Sequence, residues 1–206
     1  NGVDLAVRAR FGNGGLLNGG VSLGNTHLDQ CVVIDNPNQA LQPFCETDNN
    51  QNQVKINGSY PLFWGISAAA VYQNIPGTNQ TATLTLTSAQ LQTVSTASNP
   101  NLLSTTVALG RGLTTASRTT SLAIIPTNAL REKRGQQLDL RFSKVFRFGA
   151  ASLRAGFDIY NATNENDVIS VSTAYTPSAT TPGGSWLGPG TILPGRLYKF
   201  GGTFNF

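Results

Sequence analysis

A chain of 206 residues with 14 Lys and Arg against 10 Asp and Glu is only 12% charged, roughly half the globular norm, yet it is rich in Gly, Asn, Thr and Ser. Regularly spaced Val, Leu, Ile and Phe set it apart from a disordered polar chain, and its singly scattered cations, with Lys133-Arg134 the one adjacent pair, argue against a nucleic-acid surface. No apolar run is long enough for a membrane-crossing helix, and the lack of any Met makes Asn1 an unexpected translation start, so a fragment or a processed product is expected.

The first segment alternates with period two. Val3, Leu5, Val7, Ala9 and Phe11 fall on one face, and Asp4, Ala6, Arg8 and Arg10 on the other. Gly12-Asn13-Gly14-Gly15 is a tight-turn signal, after which Leu17, Gly19, Val21 and Leu23 alternate with Asn18, Gly20, Ser22 and Gly24, which predicts a hairpin. A polar gap is expected over about residues 25 to 52. It holds Cys31 and Cys45 on either side of the turn-forming Asp35-Asn36-Pro37-Asn38. In an oxidising compartment the two thiols would bond and stabilise the loop by roughly 3 kcal/mol. Together with His27 they fall short of a tetrahedral metal set.

A second hairpin is predicted where Val54, Ile56, Gly58 and Tyr60 alternate with Lys55, Asn57 and Ser59, turn at Pro61-Leu62-Phe63, and return as Trp64, Ile66, Ala68, Ala70 and Tyr72. A long Thr- and Ser-rich stretch from about 73 to 135 follows, with short strands expected near Ala82 to Thr87, Thr105 to Leu109 and Thr119 to Ile125. The third hairpin sets Leu138, Leu140 and Phe142 against Asp139, Arg141 and Ser143, turns at Phe148-Gly149-Ala150, and returns with Leu153, Ala155, Phe157 and Ile159 against Arg154, Gly156, Asp158 and Tyr160. After a polar connection over about 161 to 193, a last strand carries Tyr198, Phe200, Gly202, Phe204 and Phe206 on one face and Lys199, Gly201, Thr203 and Asn205 on the other.

Seven strands of about ten residues therefore emerge, joined alternately by short turns and long polar loops, which is the length needed to cross a bilayer at a barrel's tilt. Lys55, Asp139, Arg141, Arg154, Asp158 and Lys199 all lie on the polar faces, as a water-filled lumen requires, since a charge facing lipid costs about 2 to 4 kcal/mol. Lys144 is the exception, close enough to a turn for its stem to snorkel. Phe11, Tyr60, Phe63, Trp64, Phe146 and Phe148 cluster at the short turns as an interfacial girdle would. The fold expected is all-β: an antiparallel up-and-down transmembrane β-barrel segment spanning 1–206 as part of one domain, seen as an incomplete barrel or a curved open sheet. A soluble or surface-anchored β-sandwich adhesin is the alternative.

No enzyme active site and no cofactor are expected. His27, the only histidine, neighbours Asp29 without a motif-placed nucleophile. Asp139, Arg141, Arg154 and Asp158 suit cross-strand ion pairs better than acid–base work. Asn164-Glu165-Asn166-Asp167 matches no calcium loop and is expected to be a solvated turn.

The last eight residues resemble the insertion signal that ends many outer-membrane barrels, with Lys199, Gly201, Phe204 and Phe206 at its four positions. Leu138 to Lys144, Phe157 to Asn161 and Ile192 to Phe200, together with the Cys31/Cys45 segment, Tyr60-Pro61-Leu62 and Leu109-Gly110-Arg111, are similar in order and spacing to the C-terminal barrel of TonB-dependent receptors, especially the Oar-like members. The resemblance implies a location in the outer membrane of a Gram-negative bacterium and a barrel of about 22 strands, most of it preceding Asn1. It also implies assembly by the barrel-assembly machinery and energising by the TonB system through a plug that has no counterpart here. A scarce nutrient, such as an iron chelate, a cobalamin-like cofactor or a glycan, would be the cargo. Its contacts would come from the long loops, where Tyr175 and Trp186 are the first candidates, with simple loop packing as their other role.

Overall fold

The computed structural model describes residues 1–29, 44–87, 119–178 and 180–206. In chain order its strands are β1 (Gly2–Arg10), β2 (Leu16–Asp29), β3 (Glu46–Pro61), β4 (Ile66–Ile75), β5 (Asn79–Gln80), β6 (Thr83–Thr87), β7 (Thr119–Ala123), β8 (Leu130–Arg131), β9 (Gly135–Phe148), β10 (Ala151–Tyr160), β11 (Val168–Val171), β12 (Ala174–Tyr175), β13 (Pro189–Ile192) and β14 (Leu197–Asn205). The chain is all-β. Seven of these strands form one antiparallel sheet in the order β1-β2-β3-β4-β9-β10-β14, so each long strand lies beside the next long strand in the sequence. β1 and β14 are its two edges, and the sheet is open rather than closed on itself.

The registers carry the alternation read in the sequence across all seven strands. One row runs Ala9, Leu17, Gly58, Ala70, Leu140, Ile159, Tyr198, each facing the next across the ladder. A row on the opposite face runs Arg10, Leu16, Ser59, Ala69, Arg141, Asp158, Lys199. A slip of one residue at any pairing would have mixed the two faces.

The apolar band crosses these rows obliquely. On β1 and β2 it reaches three rows above the first row, to Val3 and Leu23, and on β3 two rows above, to Val54. On β4 and β9 it reaches one row above, to Tyr72 and Leu138, and on β10 and β14 it ends at Ile159 and Tyr198 themselves. The boundary thus slips six residues in six strand steps. With a rise of about 3.4 Å per residue and about 4.8 Å between strands, the strands lean about 35° from the band's normal. From Val3 to Phe11, the residue just past the end of β1, the band is nine residues tall, about 22 Å along that normal.

No second layer covers this band among the described residues. Leu5 is 63% exposed and Phe200 78%, and Ala82, in the loop region, is the only buried hydrophobic side chain among them. Lys144 lies on the apolar face opposite Ile66 and Ala155, with its ammonium 5.2 Å from the centre of the Phe146 ring, toward the turn end.

Four details depart from the sequence reading. The gap expected over 25 to 52 is narrower, because β2 continues to Asp29 and β3 starts at Glu46, with Asn25 facing Asn50 and His27 facing Asp48. Polar side chains do not end a strand when the partner strand continues its ladder. Trp64 does not open the return strand. It sits in the turn at φ 60°, inside a single 3-10 turn (Phe63–Gly65) closed by the Ile66 N–H to the Phe63 carbonyl, while the Leu62 N–H donates to the Ile66 carbonyl at 2.7 Å across the strand ends. The connection over 161 to 193 is not bare loop, since it contains β11, β12 and β13. Between β4 and β9 the strands are β5 to β8, while the one expected near Thr105 to Leu109 lies outside the described residues, as do Cys31 and the Asp35-to-Asn38 turn.

Candidate functional site

The polar face is the first part of the site. Arg141 and Asp158 pair across β9 and β10, with Nε 3.3 Å from Oδ1, and Lys199 faces Asp158 from β14. Flanked on both sides, Asp158 is buried, while Arg141 stays exposed. Arg154 faces Val145 and Thr203, and Lys55 faces Gly20 and Gln73. Asp139 departs from the cross-strand ion pairing expected of it. Its Oδ1 accepts the main-chain N–H of Asn161 at 2.8 Å, and Gln137 Nε2 donates to both its oxygens, at 2.9 and 3.1 Å.

The second part is the rim where the strands pass into the long loops. Asn161 adopts a left-handed conformation, φ 50°, which an Asn side chain can support by bonding locally. Its Nδ2 donates to the carbonyls of Glu165 (2.7 Å) and Pro194 (2.9 Å), and its Oδ1 accepts the Glu165 N–H at 2.9 Å. The following turn is not the solvated one expected. Asp167 is 8% exposed, accepts the Gln136 N–H at 2.7 Å, and its Oδ1 lies 3.2 Å from Lys133 Nζ. Glu165 bonds the same ammonium, and these two carboxylates hold Lys133 above its ordinary pKa. The acidic run is drawn in by the Gln136 N–H at the start of β9 and by the Lys133 ammonium. Ile75, Gly77, Lys133, Asp167 and Leu193 line a cavity of about 280 Å³ at this rim.

On the apolar side, amides mark the end of the band. Asn74 Nδ2 donates to the Tyr72 hydroxyl (3.3 Å), which donates to Gln136 Oε1 (3.4 Å), and Arg134 donates to Asn74 Oδ1 and to the Asn52 carbonyl, both at 2.6 Å. Neither this belt nor the Asn161 hub was singled out from sequence. The belt could have been found by asking which residue lies one step beyond the last apolar one on the same face of β2, β3, β4 and β9: Asn25, Asn52, Asn74 and Gln136.

Tyr175 and Trp186 meet in the loops, edge to face, with centroids 5.9 Å apart. The Trp186 Nε1–H donates to the Thr81 carbonyl at 3.0 Å, and β12 adds to β6 in parallel, so the two rings fasten one loop to another. Both rings therefore pack within the loops. Past the band on β2, His27 Nδ1 lies 3.0 Å from Asp48 Oδ1 and Nε2 3.8 Å from Glu46 Oε1. The hydrogen bond to Asp48, its charge, and the nearby Glu46 and Asp29 carboxylates hold the imidazole pKa above the ordinary value. Cys45 is disulfide-bonded. At the C-terminus Lys199 and Gly201 lie on the polar face, whereas Phe204 faces Leu153 in the apolar band and Phe206 is fully exposed.

Compared with protein-family models, with curated proteins and with solved structures, the chain finds no match.

Proposed function

We propose that these strands are part of the wall of a transmembrane β-barrel in a bacterial outer membrane, with the apolar face toward lipid and the polar face toward a wet lumen. The observation that carries this reading is the oblique, uncovered band. Its lean of about 35° and height of about 22 Å are those of outer-membrane barrels, whose strands tilt about 35–45° around an apolar belt of about 25 Å. Turn-end aromatics at one border and hydrogen-bonded amides at the other fit two membrane–water interfaces. The resemblance to TonB-dependent receptors extends the reading to an energised importer of a scarce nutrient. The loop sheets over the rim would then form its outer vestibule.

Single cysteines along β10 test the wall. In lipid vesicles, cysteines at Arg154 and Tyr160, both exposed on the polar face, should react with a water-soluble maleimide, and those at Phe157 and Ile159 only with a membrane-permeant one. Equal labelling of both faces by the water-soluble reagent, with a chain that stays soluble without detergent, would instead support the β-sandwich. Deleting the gene in its host should abolish energised uptake of one nutrient, and unchanged uptake across iron chelates, cobalamins and glycans would end the importer reading.

A further inference from the structure

The polar face contains a notch floored by bare backbone. Gly156 of β10 and Gly201 of β14 face each other; a side chain added at Gly201 would meet nothing within 4 Å, and one at Gly156 would meet the Arg141 guanidinium at 3.7 Å. Glycine inside a strand weakens it and often marks a place where a ligand or another backbone comes close. Here the two glycines open a concavity of about 490 Å³.

Its rim is cationic. Arg141 and Lys199 stand in the row on one side of the glycine pair and Arg154 in the row on the other, with hydroxyls from Ser143 and Thr203 beside them. Asp158 is the one carboxylate in the lining, and it is buried and already engaged by Arg141. Arg154 and Lys199 have no ion-pair partner among the described residues. Their Cα atoms are about 14 Å apart by strand geometry, so both side chains can lean over the glycine floor from opposite ends. Two unpaired cations facing one concavity, with hydroxyl donors beside them, raise the local concentration of anions.

We propose that this notch binds the oxyanion group, phosphate or carboxylate, of a small molecule on the lumen side of the wall. The site rests on the reading of the polar face as wet, and adds to it that the wall itself, not only the loops, contacts an anionic solute. An acidic side chain from another part of the protein would satisfy the same cations, and the test separates the two sources.

Inorganic phosphate and citrate are titrated calorimetrically into the full protein in detergent. Saturable binding is expected, weakened roughly tenfold by Arg154→Gln and by Gly201→Leu, which fills the notch without removing a charge, and unchanged by Lys55→Gln on the same face. Should the variants fail to assemble, phosphate should still protect Arg154 of the unaltered protein from phenylglyoxal, as mapped by mass spectrometry. No binding of either anion and no protection would overturn the small-molecule site and leave an internal side chain as the occupant. Binding that Arg154→Gln leaves intact would overturn it as well. The maleimide pattern reports independently on lipid contact, so a chain that binds phosphate with both faces labelled loses the membrane reading and keeps the site.

Discussion

The main-chain N–H of Asn161 points at Oδ1 of Asp139, 2.8 Å away, and ties the exit of β10 to β9 at the level where sheet gives way to loops. A residue expected to be half of an ion pair is thus a cap for a strand end. The same Asn161 gathers the carbonyls of Glu165 and Pro194, so one buried side chain holds both ends of the segment between β10 and β14.

Asn161→Ala removes these bonds, strands two carbonyls at a buried site and leaves a β-carbon residue at φ 50°. The expected loss is about 3 kcal/mol, and Asn161→Gly, which tolerates the backbone conformation, should lose less. Limited proteolysis reads it out: cleavage within 162–196 should accelerate while β9 and β10 stay protected. Uniform loss of protection in all strands would contradict a local role.

His27 gives the projecting part of the β2–β3 ribbon a pH response. Its folded pKa is raised above the 6.5 of the unfolded ring, first by the hydrogen bond to Asp48. The stabilisation is therefore complete below about pH 6.5 and fades as pH climbs through the folded value. Amide exchange at 25–29 and 46–50 should speed up across that interval, and His27→Gln should flatten the profile.

The proposed lipid contact makes the two tryptophans distinguishable. Trp64 is 77% exposed at the turn end of the apolar band, and Trp186 is half-buried among the loops. Brominated lipid should quench Trp64 emission in a Trp186→Phe protein and leave Trp186 emission nearly unchanged in a Trp64→Phe protein. Equal quenching would contradict the placement of the band.

Leu140→Arg places a charge in the apolar band between Ala70 and Ile159 and should cost about 2 to 4 kcal/mol in lipid. Val71→Arg, on the other face opposite Asn57 and Asp139, should be close to neutral or slightly favourable. Reversible unfolding from vesicles in guanidinium measures both.

The seven long strands, their pairing order and the two faces were legible because period-two alternation is a local signal repeated in every strand. The open sheet shows that much. What escaped the sequence depends on partners far along the chain. β2 runs on through Asn25, His27 and Asp29 only because β3 offers polar residues in register, and Asp167 is buried only because Lys133 and the start of β9 lie under it. Trp64 continued the alternation of β4 and read as strand, although the reversal needed it in a left-handed turn. The glycine notch could not be seen at all until the register set Gly156 against Gly201.

Ala82 being the one hydrophobic side chain withdrawn from water among the described residues, this sheet has no interior to mutate. Positions such as Leu5 and Phe200, which look permissive by exposure, are then the ones whose substitutions depend most on the medium. If the band meets lipid as proposed, natural variation at such positions would record the thickness and chemistry of a host's bilayer rather than any packing within the polypeptide.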